Sequence, residues 1–254
     1  MLTTLGLVYA FSVGRVEQFD VNVKLKGWIP LFGGREGEAN VDLIIKATGV
    51  DAKEAGDQAV LSEITSMKAT AFGSTLPLNT NNVEQFFPKS TAQFRANGKV
   101  LSNDAPDIKL PVKLPGLDSK RLAEISYLPL ELPSGSETYS FERNFSGVLV
   151  KYSVKSLGVV DGIASFDIKL SQSETGFEDN FGNATEQKEG IYATESTLVG
   201  SGSATWNLKR ALFTKVQITS VNTTNLKPLK PNKKAKSRIL ETQLTIQHKS
   251  DSQR

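Results

Sequence analysis

The sequence predicts an all-β, antiparallel protein: two related meander halves forming a curved sheet or incomplete barrel, with one or two short helices. Three observations predict it. Apolar and polar residues alternate with a period of two along most of the chain, the pattern of strands covered on one face. Helical spacing is confined to two short stretches. The long helices and continuous apolar strands of a parallel α/β sheet are missing.

The elements follow in order. Leu5, Leu7, Tyr9, Phe11 and Val13 alternate with Gly6, Val8, Ala10 and Ser12, which reads as a first strand rather than a signal peptide, since no Lys or Arg precedes it and no A-x-A site follows. Phe19, Val21, Val23 and Leu25 oppose Asp20, Asn22, Lys24 and Lys26. Val41, Leu43, Ile45 and Ala47 form the next apolar face. Val60, Ile64 and Met67 have helical spacing, so 59–67 reads as a short helix or a strand. Breakers cluster at 79–82, and Pro106, Pro111, Pro115, Pro129 and Pro133 mark an extended connector. Within it, Leu122 and Ile125 predict a short helix over 118–126, capped by Asp118 or Ser119. Ala164, Phe166, Ile168 and Leu170 oppose Ser165, Asp167, Lys169 and Ser171. Ala204, Trp206 and Leu208 follow, then Val216 and Ile218, then Leu240, Thr242, Leu244 and Ile246.

The predicted organisation is a first β half over 1–104, a Pro-rich connector with a short helix over 105–135, and a second β half over 136–254, which together read as one continuous domain or as separate halves. The halves share an order of short motifs that reads as an internal repeat or as a chance match. Tyr9-x-Phe11 matches Tyr139-x-Phe141, and Gly37-x-Ala39-x-x-Asp42 matches Gly162-x-Ala164-x-x-Asp167. Phe94 with Asn97-Gly98 matches Trp206 with Lys209-Arg210.

Composition bounds the function. At 254 residues the chain can bury a substantial core. A hydrophobic fraction of 39% and a mean hydropathy of −0.24 describe an ordinary globular composition. Thirty basic residues against 27 acidic ones give a net charge of +3, too small a basic excess to imply nucleic acid. No stretch approaches the roughly 18 apolar residues of a membrane-spanning helix. There is no cysteine, which removes disulfides, zinc–thiolate sites and thiol nucleophiles. The single histidine is His248, in phase with Leu244 and Ile246 near a strand end. It reads as a strand-end surface residue whose replacement by alanine changes stability by less than about 1 kcal/mol.

No catalytic, metal or cofactor site is predicted. Asp42 and Asp167 recur in the repeat but fall on the polar phase of their strands. Gly33-Gly34-x-x-Gly37 and Gly200-x-Gly202 lack the Lys-Ser/Thr and helix of a phosphate loop, so they read as turns before strands. The basic run from Lys227 to Arg238 carries no aromatic residue for base stacking and reads as a solvated hairpin loop. The acidic stretch from Glu174 to Glu189 lacks calcium-loop spacing and reads as a mobile loop. The aromatics are the informative set. Core packing is their default role, but an open half-barrel could present Tyr9, Phe11, Phe19, Phe141, Phe166 and Trp206 to an apolar ligand.

The order of motifs carries a resemblance. A Tyr-x-Phe strand, a Gly-x-Ala strand, the Leu128-Pro129 to Leu132-Pro133 connector, the run Ser136-Glu137-Thr138-Tyr139-Ser140-Phe141 and the run from Gly200 to Trp206 resemble a group of bacterial cell-envelope proteins of unknown function. These are secreted or lipid-anchored all-β proteins, loosely similar to the half-barrel carriers of lipoproteins and lipids. The chain departs from the group in showing no signal peptide or lipobox cysteine. The resemblance implies an extracytoplasmic location: periplasmic, secreted or lipid-anchored. The function expected is non-enzymatic binding or carriage of an apolar ligand such as lipid. The alternative is a structural or assembly role in the envelope, with an envelope protein as partner.

Overall fold

The computed structural model describes residues 6–29, 34–76, 83–84, 87–106, 122–133, 136–145, 148–179 and 184–249. The strands are β1 (Val16–Ile29), β2 (Arg35–Val50), β3 (Gln58–Ala71), β4 (Ser74–Thr75), β5 (Ser90–Phe94) and β6 (Val100–Asn103), then β7 (Thr138–Phe145), β8 (Val148–Val160), β9 (Ile163–Glu178), β10 (Tyr192–Asn207), β11 (Leu212–Pro228) and β12 (Lys236–His248). One short helix, α1 (Leu122–Tyr127), lies between β6 and β7. All pairings are antiparallel. The strands make a single 12-stranded sheet in the order β6-β5-β3-β2-β1-β12-β11-β10-β9-β8-β7, with β4 appended to β3. The sheet is curved and does not close into a barrel. Its edges are β6 and β7, and its central pair is the first and last strands, from Phe19↔His248 to Gly27↔Leu240.

The predicted alternation sets the core. Phe19, Val21, Val23 and Leu25 on β1 and Phe166, Ile168 and Leu170 on β9 are all buried. One register row runs across the sheet through Phe141, Tyr152, Leu170, Gly200, Ser220, Thr242, Leu25 and Ala39. Residues 122–133 of the connector lie over the apolar face and act as a strap. Helix α1 packs on β1, β2 and β3, and Leu128, Leu130 and Leu132 after it are buried. Proline cannot donate a backbone hydrogen bond, so the strap is held largely through its carbonyls. The Tyr9 hydroxyl donates to Leu130 O, Tyr139 to Glu131 O and Arg143 Nη1 to Leu128 O, each at 2.7 Å.

Several expectations need correction. Residues 6–15 form no strand, although Tyr9 and Phe11 are buried while Val8 and Val13 are exposed. The run ends in a turn at Val13–Gly14, closed by Arg15 N donating to Ser12 O, and ahead of it one side chain stands in for a neighbouring strand: Gln58 Nε2 donates to Tyr9 O, and Phe11 N donates to Gln58 Oε1, both at 2.6 Å. The stretch 59–67 is part of β3, not a helix. A register shift opposite Ile44/Ile45 lets Thr65 bulge, so the buried phase passes from Ser62 and Ile64 to Met67 and Ala69. That slip is what made the apolar spacing look helical.

Gly200 and Gly202 lie inside β10 rather than in a turn. A Cβ on Gly202 would sit 2.1 Å from the Gln217 carbonyl oxygen of β11, so glycine permits the strands to approach there. Gly37 is likewise inside β2, while Gly34 precedes that strand. Glu174 and Glu178, expected in a loop, end β9. The basic run does turn between β11 and β12, but its ends belong to those strands: Lys227 pairs with Glu195 at 2.8 Å and Arg238 with Glu178 at 2.5 Å.

Helix α1 buries Leu122 and Ile125 as their spacing predicted. Its proposed caps, Asp118 and Ser119, lie outside the described residues, as do Leu5, Gly33, 79–82 and the prolines at 111 and 115. Strands β1 to β6 precede residue 105, and β7 to β12 follow residue 135. The paired repeat motifs fall in different settings: Tyr9 and Phe11 precede β1, whereas Tyr139 and Phe141 lie in β7. The Gly-x-Ala motifs belong to β2 and to the start of β9, and Phe94 and Trp206 lie in β5 and β10.

Candidate functional site

Of the six aromatics expected to line a ligand groove, five are packed inside. Tyr9, Phe11, Phe19, Phe166 and Trp206 are each at most 4% exposed. Tyr9 meets the Trp206 ring edge-on at 4.9 Å, and Trp206 meets Phe213 at the same distance. Phe166 packs on Phe213, Phe11 on Phe94 and Tyr127, and Phe19 on His248. These edge-to-face contacts knit the N-terminal segment, β5, β9, β10 and the strap into one aromatic core. Phe141 differs. It is half-buried on edge strand β7, stacked on Tyr152 at 4.7 Å, and borders an open groove.

That groove, about 930 Å³, crosses β7 to β11. Most residues lining it belong to the phase opposite the core, among them Ser153, Ser171, Ser201, Thr219, Lys151 and Lys169. Val199 and Val221 are exposed there. It is a depression in the outer face in which hydroxyls and lysines border a mainly apolar surface.

A second, smaller space of about 30 Å³ lies between strap and sheet, room for a water or two. Ile125 and Pro129 line it from the strap, and Tyr152, Leu170, Val216, Ile218 and Leu244 from the sheet. Three polar residues converge on it: Arg143, Ser220 and Thr242. Arg143 is 5% exposed. Its Nη1 holds the Leu128 carbonyl, while its Nη2 is buried with no hydrogen-bond partner. Burial pushes the Tyr152 hydroxyl above its ordinary value, with the nearby Arg143 charge opposing it. Burial also raises the half-buried Glu131 carboxyl against the pull of Arg143 and Lys99.

The other charged cluster centres on Glu17, buried at the start of β1. His248 Nε2 donates to its Oε2 at 2.5 Å, Arg15 Nη2 to its Oε1 at 2.7 Å, and Arg210 Nη1 lies 3.3 Å away. His248 does end its strand, but it is 6% exposed, so its reading as a surface residue is corrected. Its phase with Leu244 and Ile246 is the inward phase. Burial raises the Glu17 carboxyl, but the hydrogen bonds and charges of His248 and Arg15 outweigh it, and the pKa falls to about 2.

Asp42 and Asp167 are not brought together. Asp42 accepts from Asn22 and Asn40 on β1 and β2, and Asp167 is exposed on β9. Sequence reasoning missed Arg143 and Glu17. Each has a readable signal: a charge placed in the apolar phase of its strand, two residues from Phe141 and Phe19.

No family model matches the chain, and no curated protein matches it. Among solved structures it is similar to lipovitellin, in a structure concerned with lipid–protein interactions, at 10% identity and a TM-score of 0.56. The match covers 95% of this chain and 26% of that one, so the chain spans about a quarter of lipovitellin's length. At that identity the likeness shows the fold alone. DynF from the dynemicin biosynthesis pathway of Micromonospora chersina matches at 7% identity and a TM-score of 0.26, over 100% of this chain and 95% of that one. An outer-membrane channel from Pseudomonas putida F1 matches at 8% identity and 0.22, over 96% and 98%. These two scores carry no argument. Among the described residues, no helix is long and apolar enough to cross a membrane.

Proposed function

We propose that the chain is a non-catalytic binding or carrier module for an apolar ligand such as a lipid, acting outside the cytoplasm. The observation that carries this reading is the architecture: an open curved sheet whose apolar face is roofed by a strap instead of by closure or a second sheet. Lipovitellin, in a structure concerned with lipid–protein interactions, is similar in fold over 95% of this chain. The strap rests on a short helix and a few side-chain bonds to its carbonyls. When it lifts, Tyr152, Leu170, Ile218 and Leu244 offer an apolar floor, where an acyl chain gains about 0.8 kcal/mol per CH₂ buried. The extracytoplasmic placement rests on the envelope resemblance of the sequence.

Titration of the purified chain with a fluorescent fatty acid tests the reading. Saturable uptake that unlabelled fatty acid reverses is expected, with lipid co-purifying in native mass spectrometry. No saturable uptake and no co-purified lipid would overturn it, and a stable oligomer or protein partner in their place would favour the envelope-assembly role.

A further inference from the structure

We propose that Arg143 anchors the oxyanion head of the carried ligand, so that the ligand is an anionic amphiphile, a fatty acid, seated between strap and sheet. This inference rests on the carrier reading above and adds the chemical class of the ligand and its point of attachment.

Arginine stays charged at all relevant pH values. A guanidinium in an apolar setting costs free energy for every donor left without an acceptor. Arg143 is 5% exposed, and its Nη2 has no acceptor. Its other terminal nitrogen is committed to the Leu128 carbonyl. The Phe141 ring, 5.6 Å from its Cζ, gives only a weak cation–π contact. The protein therefore keeps a buried cation with unused donor capacity at a space under the strap. Ser220 and Thr242 border the same space with hydroxyls. A guanidinium with an unused nitrogen, lining a mainly apolar space together with Ser220 and Thr242, suits a carboxylate with a hydrocarbon tail. The tail would lie on Leu170, Ile218 and Leu244. The space as it stands is too small for an acyl chain, so entry requires the strap to move. Arg143 is placed to sense this, because it holds the strap at Leu128.

The test compares three probes on the full chain by displacement of a fluorescent fatty acid: oleate, methyl oleate and acetate. Oleate is expected to bind at least tenfold tighter than its methyl ester, which has the same chain without the charge. Acetate should not displace the fluorophore at millimolar concentration. Arg143→Met should abolish the preference, so that oleate and methyl oleate bind that variant equally, and Arg143→Lys should recover most of the preference. Equal binding of oleate and methyl oleate to the native protein overturns the anchor while the carrier reading stands. A preference that survives Arg143→Met overturns it too. Displacement by acetate as effective as by oleate would mean a simple anion site and overturns the amphiphile. If neither oleate nor its ester binds, the carrier reading falls and takes the anchor with it. Should Arg143→Met fail to fold, the comparison of acid and ester on the native protein decides alone.

Discussion

Glu17 shows how much one carboxylate can tie together. It receives donors from the segment before β1, from the β10–β11 turn and from the end of β12. Its pKa is lowered from 4.5 to about 2, so its contribution to stability is fully present above about pH 4.5 and is lost as pH falls toward 2. Glu17→Gln should cost about 2 kcal/mol at pH 7 and flatten the fall in melting temperature between pH 5 and 2, which thermal unfolding across that range measures. His248→Ala should cost about 1–3 kcal/mol rather than the fraction expected of a surface site, because a buried carboxylate loses a charge-assisted donor. The sequence places His248 at a strand end and Glu17 in the apolar phase of its strand, but gives no sign that the two, 231 residues apart, meet. A residue's phase is local and legible, whereas its partner depends on which strands meet.

At the scale of the element, strand identity was legible wherever the alternation ran unbroken. It stayed open between helix and strand where a bulge moved the phase, in β3, and it failed in the segment before β1, whose backbone bonds to the Gln58 side chain and to backbone groups of Ala96 and Gly49. The strap was legible as a proline-rich connector but not as the roof of the core, because proline marks where a strand cannot be without saying what lies beneath. Its attachment can be measured. Tyr9→Phe removes the donor to Leu130 O and leaves a buried carbonyl unpaired, at a cost of about 1–2 kcal/mol. The denaturation midpoint should fall with an unchanged slope. Gly202→Ala forces a methyl group against the Gln217 carbonyl of β11. It should destabilise by about 1–3 kcal/mol, whereas alanine at Gly56, where a Cβ meets nothing within 4 Å but φ is positive, should cost about 1 kcal/mol through backbone strain alone. Parallel chemical denaturation of the two variants separates crowding from strain.

For the whole molecule, the antiparallel curved sheet was readable from periodicity, but its strand order was not. Alternation says that a strand has an inner face and is silent about its neighbour, so nothing in β1 or β12 announces that they pair at the centre. The order makes a prediction about local stability. Strands β1, β12 and β11 are paired on both sides, while among the described residues β6 and β7 are each paired on one side. Hydrogen–deuterium exchange followed by mass spectrometry should find the slowest amides in the central strands and the fastest in β6 and β7. Uniform protection across the sheet, or fast exchange at the β1–β12 pairing, would contradict the topology.

The central pairing of first and last strands also sets the order in which the protein can assemble during synthesis. β1 emerges with its neighbour β2 close behind, but its other side has no partner until β12 has been translated. For most of that time Phe19, Val21, Val23 and Leu25 sit on a strand with an open edge, the kind of template that recruits other chains. Only the outward charges of Asp20, Lys24 and Lys26 guard it. Completion waits for contacts between distant parts of the chain, which are slow to form. A ribosome stalled just before residue 236 would therefore present both flanks of the sheet without the strand that joins them, and such truncated chains should aggregate rather than persist as a smaller soluble domain.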